Sequence, residues 1–142
     1  MAVLNYTTTI AAAKTIGEMQ AMLAQAGAAR VGVEYHDGSA SGMSFLLSTP
    51  HGERAFTLPV DVDAMERLLA KQRKGNNRVK ADRAQAERVA WRVMKDWLAA
   101  QLALVETQMA ALDQVMLPYL HTDDGRTLYA AYKDHEVLGL TR

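Results

Sequence analysis

Val31-Gly32-Val33-Glu34-Tyr35-His36-Asp37-Gly38-Ser39, followed closely by Met43-Ser44-Phe45-Leu46-Leu47, is the stretch on which the fold turns. Val31, Val33 and Tyr35 alternate with Arg30, Gly32 and Glu34, the period of a strand covered on one face only. Asp37-Gly38 supplies the positive φ angles that a tight hairpin turn demands, and Met43, Phe45 and Leu47 resume the alternation on the way back. Thr49-Pro50-His51-Gly52 makes a second turn, after which Phe56 and Leu58 point one way. Consecutive strands joined by short turns predict a three-stranded antiparallel meander.

On the N-terminal side, Thr15-Ile16-Gly17-Glu18 has the pattern of a capping box and predicts a helix starting there. Ile16, Met19, Met22, Leu23 and Ala26 recur at helical spacing, and Gly27 is a natural stop. Tyr6-Thr7-Thr8-Thr9-Ile10 is β-branched and aromatic, so it reads either as a fourth strand or as an edge or cap segment. On the C-terminal side, Pro59 ends the sheet and Asp61 can cap a helix carrying Val62, Met65, Leu68 and Leu69.

Residues 71–80 then break regular structure through Gly75-Asn76-Asn77 and form a basic loop. From about residue 81 to residue 109 neither proline nor glycine intervenes. Ala86, Val89, Ala90, Val93, Met94, Trp97, Leu98, Leu102, Val105 and Met109 form one apolar stripe, predicting a helix about 40 Å long. Asp113-Gln114-Val115-Met116-Leu117 reads as a helical turn closed by Pro118, and residues 121–125 as a loop. Thr127 can cap a last short helix through Leu128, Tyr129 and Tyr132, with the final residues fraying. The expectation is one α+β domain over residues 1–142.

Its size and content suit such a domain: 142 residues, 49% apolar and 23% charged, enough to bury roughly two-thirds of the surface of the unfolded chain. Cysteine is absent, which removes disulfides and thiolate chemistry. The opening Met1-Ala2-Val3-Leu4-Asn5-Tyr6 lacks a basic start and an apolar run. No stretch approaches the ~20 apolar residues of a membrane span. A cytoplasmic protein without membrane contact is expected.

Net charge is zero, but unevenly spread. Lys71, Arg73, Lys74, Arg78, Lys80, Arg83, Arg88, Arg92 and Lys95 stand against only Asp82 and Glu87, a local +7, and the rest of the chain carries −7. A cationic loop leading into a helix with Arg83, Arg88 and Arg92 could follow a phosphate backbone, so DNA or RNA is a candidate partner. The plainer reading is a solvated basic face offset by the acidic remainder. The helix–strand–strand–strand–helix order is also that of double-stranded-RNA-binding domains. Their second helix starts on lysines, however, whereas here it starts Asp61-Val62-Asp63-Ala64 and repels phosphate.

Trp91 and Trp97 are six residues apart and so face directions about 120° apart on a helix. Trp97 fits the core. Trp91 either sits at its boundary or reaches a groove, a second protomer or a stacked base.

Chemistry beyond binding finds little support. His36, His51, His121 and His135 are scattered over turns without metal-ligand spacing. His121 with Asp123 and Asp124 is better read as turn chemistry than as a cation site. Asp61 and Asp63 suit a helix N-terminus. No nucleophile elbow, Walker loop or dinucleotide fingerprint occurs, so neither catalysis, a metal nor a cofactor is expected.

Tyr6-Thr7-Thr8-Thr9 with Lys14-Thr15-Ile16, then Ala90-Trp91-Arg92-Val93-Met94-Lys95-Asp96-Trp97 with Gln101, and finally Leu117-Pro118-Tyr119, together resemble a group of small uncharacterised proteins of phage and other mobile-element genomes. The resemblance implies a mobile-element setting and carries no activity. The expected function is therefore a non-enzymatic accessory protein of a mobile genetic element that binds nucleic acid through the basic segment. The alternative is a protein-interaction module or inhibitor that docks on a partner or on itself through the long helix, Trp91 or the Met-rich first helix.

Overall fold

The computed structural model describes residues 2–134. His135 and the expected fraying end lie outside the described residues. At its centre, strand β1 (Arg30–His36) turns through Asp37 and Gly38, with φ of 49° and 80°, into β2 (Ser39–Thr49). Pro50 and His51 turn β2 into β3 (Gly52–Pro59). The order β1-β2-β3 is antiparallel throughout, so the meander expected from the two-residue period is present.

Val33, Met43 and Leu58 lie side by side, as do Val31, Phe45 and Phe56, with the two phenyl rings stacked at 5.6 Å. This face is the core side. The opposite face carries Gly32, Ser44 and Thr57. At Gly42 a Cβ would come within 2.9 Å of the Leu58 carbonyl oxygen, so the close approach of β2 to β3 beside the β1 irregularity at Glu34 and Tyr35 needs a glycine.

Helix α1 (Ala12–Gln25) precedes the sheet. It starts three residues before Thr15, and no side chain caps it. Thr15 and Glu18 instead face a later helix, which corrects the capping-box reading. Its end is as expected: Gly27 takes φ 104° and the Ala28 N–H donates to the Leu23 carbonyl, closing a Schellman turn. Helix α2 (Val62–Arg73) is capped by the Asp61 carboxylate, which accepts from the Ala64 N–H at 2.9 Å.

The long helix α3 (Arg83–Glu106) has 24 residues, about 36 Å at 1.5 Å per residue. Asp82 caps its start by accepting from the Gln85 N–H. It stops short of Met109 because Gln108 takes φ 65° and the Met109 N–H folds back to the Leu104 carbonyl. Met109 is consequently exposed and not on the stripe. α3 packs against both α1 and α2, and Trp91 also joins it to the sheet, its indole N–H donating to the Ala40 carbonyl at 3.1 Å. Walled on three sides, α3 buries a wide arc: Ala86, Val89, Ala90, Trp91 and Leu98. Each large apolar side chain so buried contributes about 1.5–3 kcal/mol.

After α3 come a one-turn α4 (Leu112–Val115), a 3-10 turn over Leu117–Tyr119 that contains Pro118, and α5 (Leu128–Asp134). Thr127 caps α5 by accepting from the Ala130 N–H, as expected. Between them the chain lies against the free edge of β3: Leu120 pairs with Phe56, and the His121 N–H donates to the Ala55 carbonyl at 2.9 Å. The fourth edge partner of the sheet is thus C-terminal. Of residues 6–10, the candidate fourth strand, Tyr6 and Thr7 lie in a turn and the rest are irregular, and the carbonyls of Tyr6 and Thr8 accept from the Gln85 side chain of α3.

Candidate nucleic-acid interface

Helical geometry divides the basic residues of α3. Arg83 and Arg88 are five residues apart, about 140° around the axis, and they serve different neighbours. Arg83 turns to α2 and β2, where it pairs with Asp63, bonds Glu66 at 3.2 Å and donates to the Ser39 hydroxyl at 3.3 Å. The Ser39 hydroxyl in turn donates to Glu87. The hydrogen bond and charge of Arg83 hold the Asp63 carboxyl below its ordinary range, and Asp63 raises the Arg83 guanidinium.

Arg92 and Lys95 turn to α1. Lys95 reaches Glu18 at 2.7 Å, Arg92 reaches it at 3.4 Å, and Arg92 also donates to the Thr15 hydroxyl. The Lys95 hydrogen bond, with the charges of Lys95 and Arg92, depresses the Glu18 carboxyl. Arg83 and Arg92 therefore tie helices together and are removed from the phosphate-facing set. Trp91 is removed too: it is fully buried, so neither base stacking nor partner docking is open to it.

The loop is less free than its composition implies. Val79 is completely buried, and Arg73 donates to the Val79 carbonyl at 2.7 Å, clamping the loop onto the end of α2. Asn76 accepts from the Arg78 N–H. With Val79 pinned inward, Arg78 and Lys80 on either side are exposed. Lys71 and Lys74 are exposed at the C-terminal end of α2, where cations suit the helix dipole.

Arg78, Lys80 and Arg88 line one cleft of about 270 Å3, whose other walls are Tyr6, Thr7, Thr8, Thr9 and Gln85. Among the described residues no ion pair engages these three cations, and no carboxylate lines the cleft. Gln85 organises it. This side chain is 2% exposed. Its amide nitrogen donates to the carbonyls of Tyr6 and Thr8 at 2.9 and 3.1 Å, and its oxygen accepts from Arg88 Nε at 2.8 Å. Thr8 adds a local turn by accepting from the Ile10 N–H.

Arg78, Lys80 and Arg88 are among the residues expected at the interface from the sequence; Gln85 and the threonines are not. Gln85 stands three residues before Arg88, the spacing at which helical side chains meet, and that was the available signal.

Two other features are polar or apolar without being basic. A groove of about 510 Å3 between the C-terminal halves of α1 and α3 is lined by Met22, Ala26, Leu102, Ala103 and Val105 among others. On the open face of the sheet, Glu34, Ser44, Thr57 and His121 form a hydrogen-bonded row. Among the described residues no group of three or more His, Asp or Glu side chains could hold a metal ion, and no helix is long and apolar enough to cross a membrane.

No protein-family model matches the chain, and neither a curated protein nor a solved structure does.

Proposed function

We propose that this chain is a nucleic-acid-binding accessory protein of a mobile genetic element, acting in the cytoplasm without catalysis of its own. One observation carries the reading: Arg78, Lys80 and Arg88 converge on a carboxylate-free cleft, while Asp63, Glu66 and Glu18 are paired with Arg83, Arg92 and Lys95. Partition of the charges leaves Lys71, Lys74, Arg78, Lys80 and Arg88 without an ion pair among the described residues, and such cations are the source of the counterion release that drives phosphate binding. A neutral molecule with its positive charge concentrated in one segment retains that attraction at short range.

Fluorescence anisotropy with labelled single- and double-stranded DNA and RNA across a salt series tests it. Binding should weaken linearly in log–log form as salt rises, and the combined Lys71→Glu, Lys74→Glu, Arg78→Glu, Lys80→Glu variant should lose it. Undiminished binding in that variant, or none by the parent protein at low salt, would overturn the reading and direct attention to the apolar groove between α1 and α3 as a partner surface.

A further inference from the structure

The cleft beneath the basic face has features that a track for a duplex backbone does not need. It is concave, so the ligand enters the protein, and its walls come from two distant parts of the chain fastened by a buried amide. Arg88 is pre-set: with Nε committed to the Gln85 oxygen, its two terminal nitrogens are left to face a ligand, and a guanidinium fork matches a phosphate through paired hydrogen bonds. Thr7 and Thr9, both exposed on the opposite wall, offer hydroxyl donors.

Charge and connectivity point to the kind of phosphate. An internal phosphodiester carries one negative charge and must leave the cleft on two sides, whereas a phosphate monoester carries about −1.5 to −2 at neutral pH and is attached on one side only. Three cations without a carboxylate suit the second. A hydroxyl-lined recess of about 270 Å3 also lies just below the usual size range of ligand pockets, and a duplex cannot enter it.

We infer that the cleft is a socket for the terminal phosphate of a nucleic-acid strand, with Arg88 as the principal contact and Gln85 as the residue that positions it. This inference rests on the proposed nucleic-acid binding and gives that binding a preference for strand ends. Lys71 and Lys74, outside the cleft, serve the rest of the strand.

The test compares oligothymidylates that carry a phosphate or a hydroxyl at one terminus and a fluorophore at the other, in both polarities. With one polarity, the phosphorylated strand should bind about tenfold more tightly, the scale expected of one additional charge near partly screened cations. In Arg88→Gln and Gln85→Met this ratio should fall to about one, whatever affinity for the hydroxyl strand is lost with the cation. Arg88→Lys, which retains the charge and disturbs the fold least, should give an intermediate ratio. Lys71→Gln with Lys74→Gln should weaken both strands and preserve the ratio.

Equal affinity for phosphorylated and hydroxyl strands would overturn the socket and leave backbone binding standing. Failure of every strand to bind would overturn both. Competition by thymidine monophosphate as effective as that by the phosphorylated strand would overturn the strand-end assignment in favour of a free nucleotide.

Discussion

Thr57 Oγ1 and His121 Nε2 lie 2.6 Å apart, and the direction of that hydrogen bond follows from the residues beyond it. Ser44 spends its only hydroxyl proton on Glu34, at 2.6 Å. In the Ser44–Thr57 contact of 2.8 Å the donor is then Thr57, which leaves Thr57 only its lone pairs for His121. His121 must therefore donate from Nε2. An imidazole so placed cannot act as a base toward the threonine, so the row fastens the C-terminal segment to the sheet and does not activate a nucleophile.

Thr57→Val should accordingly cost about 1–2 kcal/mol for two partly exposed hydrogen bonds. Amide exchange should quicken at His121, whose N–H is held by Ala55, more than at Val33 or Phe45. His121→Gln, which keeps a side-chain N–H donor, should recover part of the loss in urea denaturation, and His121→Leu should not. Equal behaviour of the glutamine and leucine variants would show that this hydrogen bond adds nothing to stability.

Gln108 ends α3 in a left-handed conformation, φ 65°, within a Schellman turn that completes the same two bonds as Gly27 does after α1. A side chain there costs on the order of 1–3 kcal/mol, against about 0.5–1 kcal/mol for the added freedom of an unfolded glycine. Gln108→Gly should raise thermal stability by about 1 kcal/mol, whereas Gly27→Ala should lower it by a similar amount. A lower melting temperature for Gln108→Gly would contradict the turn.

Glu18 governs part of the response to acid. Lys95 and Arg92 depress its carboxyl from the ordinary 4.5 in the folded protein, so the unfolded chain takes up a proton first as pH falls. The resulting stabilisation is fully present above that ordinary value and is lost as pH drops through the lower folded value. Glu18→Gln should be less stable than the parent at neutral pH and nearly level with it in strong acid. Parallel stability curves for the two proteins, measured by denaturation at a series of pH values, would exclude this role.

Periodicity made the centre of the fold readable: alternation at Val31, Val33, Met43, Phe45 and Leu47, with glycine-bearing turns, corresponds to the observed strands. The expectations that failed are those in which a residue's partner is remote. Thr15 and Glu18 have capping-box spacing, but their partners on α3 lie more than seventy positions away. Residues 6–10 have strand composition, but Gln85 meets the carbonyls of Tyr6 and Thr8 at a similar remove. The end of α3 was overestimated because a left-handed glutamine leaves no composition signal. Of the basic segment, the cluster was legible and its division was not, since the acids that absorb Arg83 and Arg92 belong to α1 and α2.

Because the walls of the cleft stand 77 to 79 positions apart along the chain and are fastened by Gln85, the unfolded protein retains every cation and no receptor. An anion that occupies the cleft is thermodynamically a folding ligand: at a hundred times its dissociation constant it adds about 2.7 kcal/mol to the native state. Such an occupant draws the amino-terminal arm and the long helix into one cooperative unit, so a fragment lacking the first ten residues would keep the charge of the basic face and forfeit this gain.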